Sequence, residues 1–262
     1  SPDGKHLLTT SSEKSATLWD VGRGKAIRTL NGHRAAVSAV AWSPDGKYLA
    51  TGSEDRSVIL WDAKTERPLH ILNRNLSGVT SLQFSADHKL LLSGSRDETC
   101  FIWKIATGEA LQVLKLKRSA FVSMTFSPDG KRVVTAVKDN RVILWDVATG
   151  KQIRVIRGNH SGWSPLALSR AGRSLTIGGS DPTLSGWDMT TGAELVRTFS
   201  LDQGKERLHL TPKGYLTGTP GALKLVRWRV KDQLYPFAKF QKLFHRPEKV
   251  APALRRMARK SK

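Results

Sequence analysis

The turn sequence SPDG stands at residue 1, at 43 and at 127, and related turns fill the series: SADH at 85, SRAG at 169 and TPKG at 211. Every step is 42 residues. Tryptophan keeps the same step at 19, 61, 103, 145 and 187, and returns at 228, one residue early. Two independent markers in one register mean that a single unit occurs six times. Such a chain does not build one layered core. Each unit buries its faces against its neighbours.

The unit has its own grammar. After the turn comes a short apolar run: YLATGS (48–53), LLLSGS (90–95) or RVVTAV (132–137). A polar hinge follows (EDRS, RDET, KDNR), then a second run ending at the tryptophan: SVILWD (57–62), CFIWKI (100–105), RVILWD (141–146). A turn such as ATG or TTG leads to a third run, PLHIL (68–72) or ALQVL (110–114), and a fourth, VSAVAW (37–42) or VTSLQF (79–84), precedes the next SPDG position. Each unit therefore predicts four short strands with turn chemistry at every junction. The central runs are apolar on consecutive residues, as in strands covered on both faces. Four-stranded sheets repeated about an axis make a β-propeller.

The Gly32-His33 pair, the SPDG turns and the Trp-Asp pairs at 19–20, 61–62, 145–146 and 187–188 resemble the WD-repeat β-propeller family over residues 1 to 231. The resemblance implies an all-β fold of four-stranded antiparallel blades. It also implies a buried polar network joining a histidine, a strand Ser or Thr, a hinge Asp and the tryptophan. His33, Ser53, Asp55 and Trp61 supply all four parts. The next unit keeps Ser95, Asp97 and Trp103, with Asn75 in the histidine place. The fourth keeps Asp139 and Trp145, with Lys117 and Val137 in the other places. The fifth keeps Asp181 and Trp187, with Gly179 for the serine and His160 displaced by one residue. The sixth has Trp228 and no hinge Asp.

In this family the SPDG turn joins the first and second strands of a sheet. Residue 1 therefore enters the first blade after its inner strand, and that blade is expected to lack it. The sequence is then read as part of a longer polypeptide of seven or more blades, or as a six-bladed ring short of one strand. The last blade is expected to be irregular. From 232 to 262 the repeat grammar stops and a basic tail is expected. Pro236 would sit in a first helical turn, with Phe237, Phe240 and Phe244 at helical spacing. Pro247 would interrupt, and a second helix over 248–258 would carry Val250, Leu254 and Met257. Such a tail either packs its apolar stripe on the domain or binds an anionic surface. The stretch LYPFAKFQKLFHRPEKV also resembles one that follows the propeller in some bacterial WD-repeat proteins, including ones joined to caspase-like peptidases. No peptidase residues can be placed on this chain.

The formal net charge is +21 over 262 residues. Residues 222–262 hold 13 Lys or Arg against Asp232 and Glu248, so about half of the excess lies in the last sixth of the chain. A balance of this size favours acidic partners. The hinge and inter-blade loops carry Arg34, Arg56, Arg74, Arg96, Lys117, Arg118, Lys138 and Arg157, partly offset by Glu54 and Glu98. They form either a solvated rim or a candidate binding face. The single Cys100 cannot form an internal disulfide, which points to a reducing, cytoplasmic setting. No run reaches the ~20 apolar residues of a membrane span.

The groups that could carry chemistry read as structure. Ser53, His33 and Asp55 have the types of a hydrolase triad. The same Asp recurs at 97, 139 and 181, which a hinge role explains and catalysis does not, and no G-x-S-x-G is present. Scattered His and the lone Cys100 give no metal-ligand spacing, and no G-x-x-x-x-G-K phosphate loop occurs. The sequence therefore predicts no cofactor, no metal and no enzymatic activity. The WD-repeat likeness implies a scaffold that presents loops to a protein partner or to other domains of its own chain. The alternative is polyanion or nucleic-acid binding through the basic loops and tail.

Overall fold

The computed structural model describes residues 1–116, 121–139, 141–157, 166–169, 171–178, 183–201, 203, 205–230, 233–236, 238 and 241–258. Lys117, Arg118, His160, Gly179, Asp181, Phe237, Phe240 and the side chains of Trp228, Leu254 and Met257 lie outside that description. The chain forms two compact units, Ser1–Arg157 and Gly158–Lys262.

The first unit is a series of antiparallel sheets in strict sequence order. The first sheet has three strands, β1 (His6–Thr10), β2 (Ser15–Asp20) and β3 (Lys25–Asn31). The others have four each: β4 (Val37–Trp42) to β7 (Pro68–Leu72), β8 (Val79–Phe84) to β11 (Ala110–Lys115), and β12 (Phe121–Phe126) to β15 (Gln152–Arg157). The second strands are β5 (Tyr48–Ser53), β9 (Leu90–Ser95) and β13 (Arg132–Val137). The third strands are β6 (Val58–Asp62), β10 (Thr99–Lys104) and β14 (Arg141–Asp146).

The repeated turns are built by their side chains. Ser43 Oγ donates to Asp45 Oδ1 at 2.7 Å and accepts the Tyr48 N–H at 2.8 Å, while Gly46 takes the left-handed conformation at φ +74°. His88 holds the same place in the third sheet at φ +60°. Near the same end of each sheet the register between the tryptophan strand and the outer strand slips at the residue before the tryptophan (Leu18, Leu60, Ile102 and Leu144). A bulge there twists the exposed edge strand, which protects it from pairing with another chain.

Consecutive apolar residues part to opposite faces. Leu49, Ile59 and Trp61 pack toward the first sheet with Leu8 and Leu18, whereas Ala50, Val58 and Leu60 pack toward the third with Val79 and Trp103. Leu92, Ile102 and Trp145 fill the next interface. This is why the central runs of the second and third sheets show no alternation: both of their faces are core. The sheets approach closely at Gly52, where an added Cβ would stand 2.5 Å from Val79 Cγ1.

The second unit departs from the repeat. Its sheet has six strands in order: β16 (Leu166–Leu168), β17 (Ser174–Gly178), β18 (Thr183–Asp188), β19 (Glu194–Leu201), β20 (Glu206–Leu210) and β21 (Leu216–Gly218). The sixth repeat is expected to be irregular, and among the described residues it does not form a separate four-stranded blade. Instead its first two strands extend the fifth sheet, because β19 runs on through Leu201 and pairs with β20. Where a third strand would follow, α1 (Pro220–Leu225) forms. Pro220 opens that helix, and the Glu206 carboxylate accepts the Thr219 hydroxyl and, at 2.8 Å, the Ala222 N–H. These hydrogen bonds hold the Glu206 carboxyl below its usual range.

β22 (Arg227–Val230) pairs with β23 (Gln233–Pro236), so Pro236 ends a strand and does not begin a helix. α2 (Gln241–Phe244) and α3 (Pro247–Ala258) follow, and Pro247 opens α3 as its missing N–H allows. Residues on both sides of 231/232 lie in one compact unit. The tail is anchored: Arg246 N–H donates to Leu216 O at 3.1 Å, α3 lies against β17, β19 and β21, and Val250 is 0% exposed. Val250→Ala should cost roughly 2 kcal/mol through lost burial and the cavity left behind. Denaturant midpoints of parent and variant measure it; an unchanged midpoint would mean that α3 contributes nothing to the fold.

Candidate interaction face and the polar network beneath it

In an antiparallel meander the two ends of a sheet carry different junctions. In the first unit the SPDG-type turns stand at one end of the strands, and the hinges and inter-blade loops stand at the other. Of the cationic residues singled out in the sequence, the described ones, Arg34, Arg56, Arg74, Arg96, Lys138 and Arg157, are on the second end. Beneath them lies the polar network.

Trp61 Nε1 donates to Thr51 Oγ1 at 2.9 Å, His33 Nε2 lies 2.8 Å from the same hydroxyl, and His33 Nδ1 lies 3.0 Å from Asp55 Oδ2. With a carboxylate at Nδ1 the neutral ring carries its proton there, and Nε2 accepts from Thr51. The donors therefore run in one direction from Trp61 to Asp55. Asp55 also accepts the Arg34 N–H at 2.7 Å, the Ser57 N–H at 2.9 Å and the Ser57 hydroxyl at 2.6 Å. Burial acts to raise the Asp55 pKa. The Ser57 hydroxyl, the Arg34 and Ser57 amides and the His33 ring outweigh it and carry the group from 3.8 down to about 2.

The hydroxyl in this chain is Thr51, not Ser53. Ser53 Oγ donates to Ala35 O at 3.0 Å and accepts the Asp55 N–H at 3.1 Å, so it builds the hinge turn instead. Ser95 is displaced from the network in the same way, donating to Ser77 O at 2.9 Å. The acceptor always stands ten residues before the tryptophan: Thr9 for Trp19, Ser93 for Trp103 and Thr135 for Trp145, at 2.8–2.9 Å. That position follows the 42-residue step, and the Gly-Ser pair at 52–53 and 94–95 repeats in the same step two residues later, so spacing alone does not choose between the two hydroxyls.

The other units are partial. Asn75 accepts from Ser93 at 3.4 Å and donates to Arg56 O at 3.2 Å, while Asp97 takes the Leu76 N–H at 2.6 Å. Asn75 is too short to bridge to Asp97 as His33 bridges to Asp55. Asp139 pairs with Arg141 at 2.6 Å. At the fifth unit the acceptor position is Ile177, and the buried Trp187 Nε1 has no partner among the described residues. Among the described residues no group of three His, Cys, Asp or Glu is placed to share a metal ion, and no described helix is long and apolar enough to cross a membrane.

Above the network the cations differ in their surroundings. Arg96 is held by Glu54 at 2.7 Å. Arg34, Arg56, Arg74 and Arg157 are exposed, and Lys138 is exposed beside Asp139. Arg34 and Arg56 line a cleft of about 400 Å3 with Ile71, Asn73 and Asn75. The sequence offers Glu54 as a partial offset to these cations but not its pairing with Arg96, which joins two repeats, nor the place of Ile71 and Asn73 in the cleft.

Thr51→Val keeps the side-chain shape but leaves both Trp61 Nε1 and His33 Nε2 without a partner. It should cost about 1–3 kcal/mol. Thr9→Val, at a half-buried site whose hydroxyl accepts from Trp19 Nε1 and donates to Thr17 O at 3.4 Å, should cost less. Equal denaturant midpoints for the two variants would refute a special role for the Thr51 junction. Asp55 adds a pH dependence. Its folded pKa lies below the ordinary value, so its contribution is present above about pH 4 and disappears as pH falls through 2. Asp55→Asn should flatten the fall in thermal midpoint across that window; parallel curves for parent and variant would contradict this.

The family model of the IFT122 first beta-propeller matches residues 1–227. Protein FIZZY-RELATED 1 of Arabidopsis thaliana is 50% identical over 40 residues, which is 15% of this chain and 8% of that protein. The 42-residue register, the four-stranded antiparallel sheets and the tryptophan-to-hydroxyl bonds agree with that match, and the chain belongs to the IFT122 first beta-propeller family of WD-repeat β-propellers.

Proposed function

We propose that this chain is a non-catalytic interaction module whose hinge and inter-blade loops receive a protein partner. The observation that carries this reading is the division of polar groups in the first unit. His33, Thr51, Ser53 and Asp55 direct their hydrogen bonds inward, to one another and to the hinge backbone. None is left as a nucleophile or base facing solvent. The loops above them present cations to solvent on a rigid base. A rigid loop-bearing face suits partner recognition, since little ordering is needed on binding.

The test compares three baits of the whole chain in affinity capture from cells of its source, quantified by mass spectrometry. One is the parent. One carries Arg74→Glu, Arg96→Glu and Arg157→Glu on the loop end. One carries Lys47→Glu, Lys89→Glu and Lys131→Glu at the turn end. Captured proteins should fall severalfold with the loop-end bait and persist with the turn-end bait. Equal capture by all three would overturn the assignment of the face. Capture abolished by nuclease would replace the protein partner with nucleic acid, the reading favoured by net charge alone.

A further inference from the structure

Several cations of the first unit already have acids. Arg28 pairs with Glu66 at 2.8 Å, Arg96 with Glu54 at 2.7 Å and Arg141 with Asp139 at 2.6 Å. Arg34 and Arg56 differ. Both side chains are exposed, both line the 400 Å3 cleft, and no described carboxylate lies within ion-pair distance of either guanidinium. The acid in the cleft wall is Asp55, and it is turned inward. Its Oδ2 takes the His33 ring and the Arg34 amide, its Oδ1 takes Ser57 twice, and its side chain is 11% exposed.

The cleft also has an apolar side. Ile71 lines it and is 59% exposed, and Leu76, one residue beyond Asn75 of the wall, is 76% exposed. The position of Arg56 is informative in itself. It sits at φ +73°, in register with Lys14 at +67° and Glu98 at +66°, so the first three hinges each take a left-handed residue at this place. The side chain placed there is free to vary as far as the turn is concerned, and glycine would suit the backbone better.

Resting on the loop-face reading above, we propose that this cleft binds an extended segment of a partner protein through an anionic oxygen group. A carboxylate or phosphate would lie between Arg34 and Arg56, and a neighbouring aliphatic side chain would cover Ile71. Each guanidinium offers a planar fork matched to two oxygens. The volume admits a few side chains, and the apolar wall supplies the desolvation that makes such hydrogen bonds selective. Asn73 adds an exposed amide at the rim.

The test is fluorescence anisotropy with the full chain and three labelled ten-residue peptides of one Gly/Ser scaffold. They carry Ser, Glu or phosphoserine at the centre and Leu two residues later. The Glu or phosphoserine peptide should bind at least tenfold more tightly than the Ser peptide. Binding of phosphoserine alone would assign a phosphorylated partner, and comparable binding of Glu an acidic one. Arg34→Gln and Arg56→Gly should each weaken the anionic peptide at least tenfold, and Arg34→Lys should fall between. The thermal midpoint of Arg56→Gly should equal or exceed that of the parent, which separates lost binding from lost folding. Lys47→Gln and Lys131→Gln remove the same charge at the turn end and should change nothing.

The cleft assignment is overturned if no anionic peptide binds the parent, if the arginine variants bind as the parent does, or if the lysine variants lose as much. It is also overturned if a labelled DNA single strand binds equally well with the same dependence on both arginines. The capture experiment uses Arg74, Arg96 and Arg157, none of which lines the cleft, so failure here leaves the loop-face reading to be decided there.

Discussion

A tryptophan buried between two sheets must place its indole N–H against an acceptor, because an unpaired donor in that setting costs of order 1–3 kcal/mol. In this chain the acceptor is a hydroxyl on the neighbouring strand, ten residues earlier. Thr9, Thr51, Ser93 and Thr135 each serve the tryptophan that follows. The pairing also carries geometric information. It joins the second and third strands of one sheet and forbids a one-residue slip, which would turn the indole to the opposite face. The spacing therefore fixes strand register, hinge length and the interface against the neighbouring sheet together. Where the hydroxyl is lost, at Ile177, the surrounding unit also loses its regularity: among the described residues Trp187 Nε1 and Ser185 Oγ of the same strand have no hydrogen-bond partner.

Much of the fold was legible because the repeat samples the same physics several times. One copy of YLATGS is ambiguous between a strand and a buried helical turn. Several copies in register with turns and tryptophans are not. The three-strand first sheet followed from the same register. The hydroxyl of the network is less legible, since Ser53 and Thr51 lie on the same face of β5 and only side-chain distances distinguish them. The sixth repeat was harder for a different reason. Its turn and strand words were present, but the fate of its strands depended on the length of β19 and on Glu206 reaching the start of α1. Those are tertiary facts. Pro236 is ambiguous for a related reason: a proline that ends a strand and one that starts a helix both lack a donor that either position can spare.

Net charge proved a coarse guide, and the pairing of individual charges a finer one. The +21 excess says that acidic partners are favoured, not where they bind. On the loop end of the first unit, acids meet some arginines and leave others. Glu54 is spaced to reach Arg96 in the next sheet, and Asp139 reaches Arg141 in its own. The hinge aspartates would be the natural partners for the remaining cations, but hydrogen bonds to the hinge backbone hold them in place. Asp97, for example, takes the Leu76 and Thr99 amides.

The Asp55 hinge brings stability and recognition together. Its carboxylate is drawn inward by His33, whose ring reaches Thr51 and through it Trp61. Because that carboxylate is committed to the interior, Arg34 and Arg56 stand beside an acid that cannot turn to neutralise them. In the adjoining sheet the corresponding histidine is Asn75, the chain of donors stops short of Asp97, and the cation at that hinge, Arg96, is met by Glu54 instead. A complete network and an uncompensated pair of arginines thus occur at the same hinge. The complete network carries a structural consequence at the surface: it fixes which cations are left for an external anion.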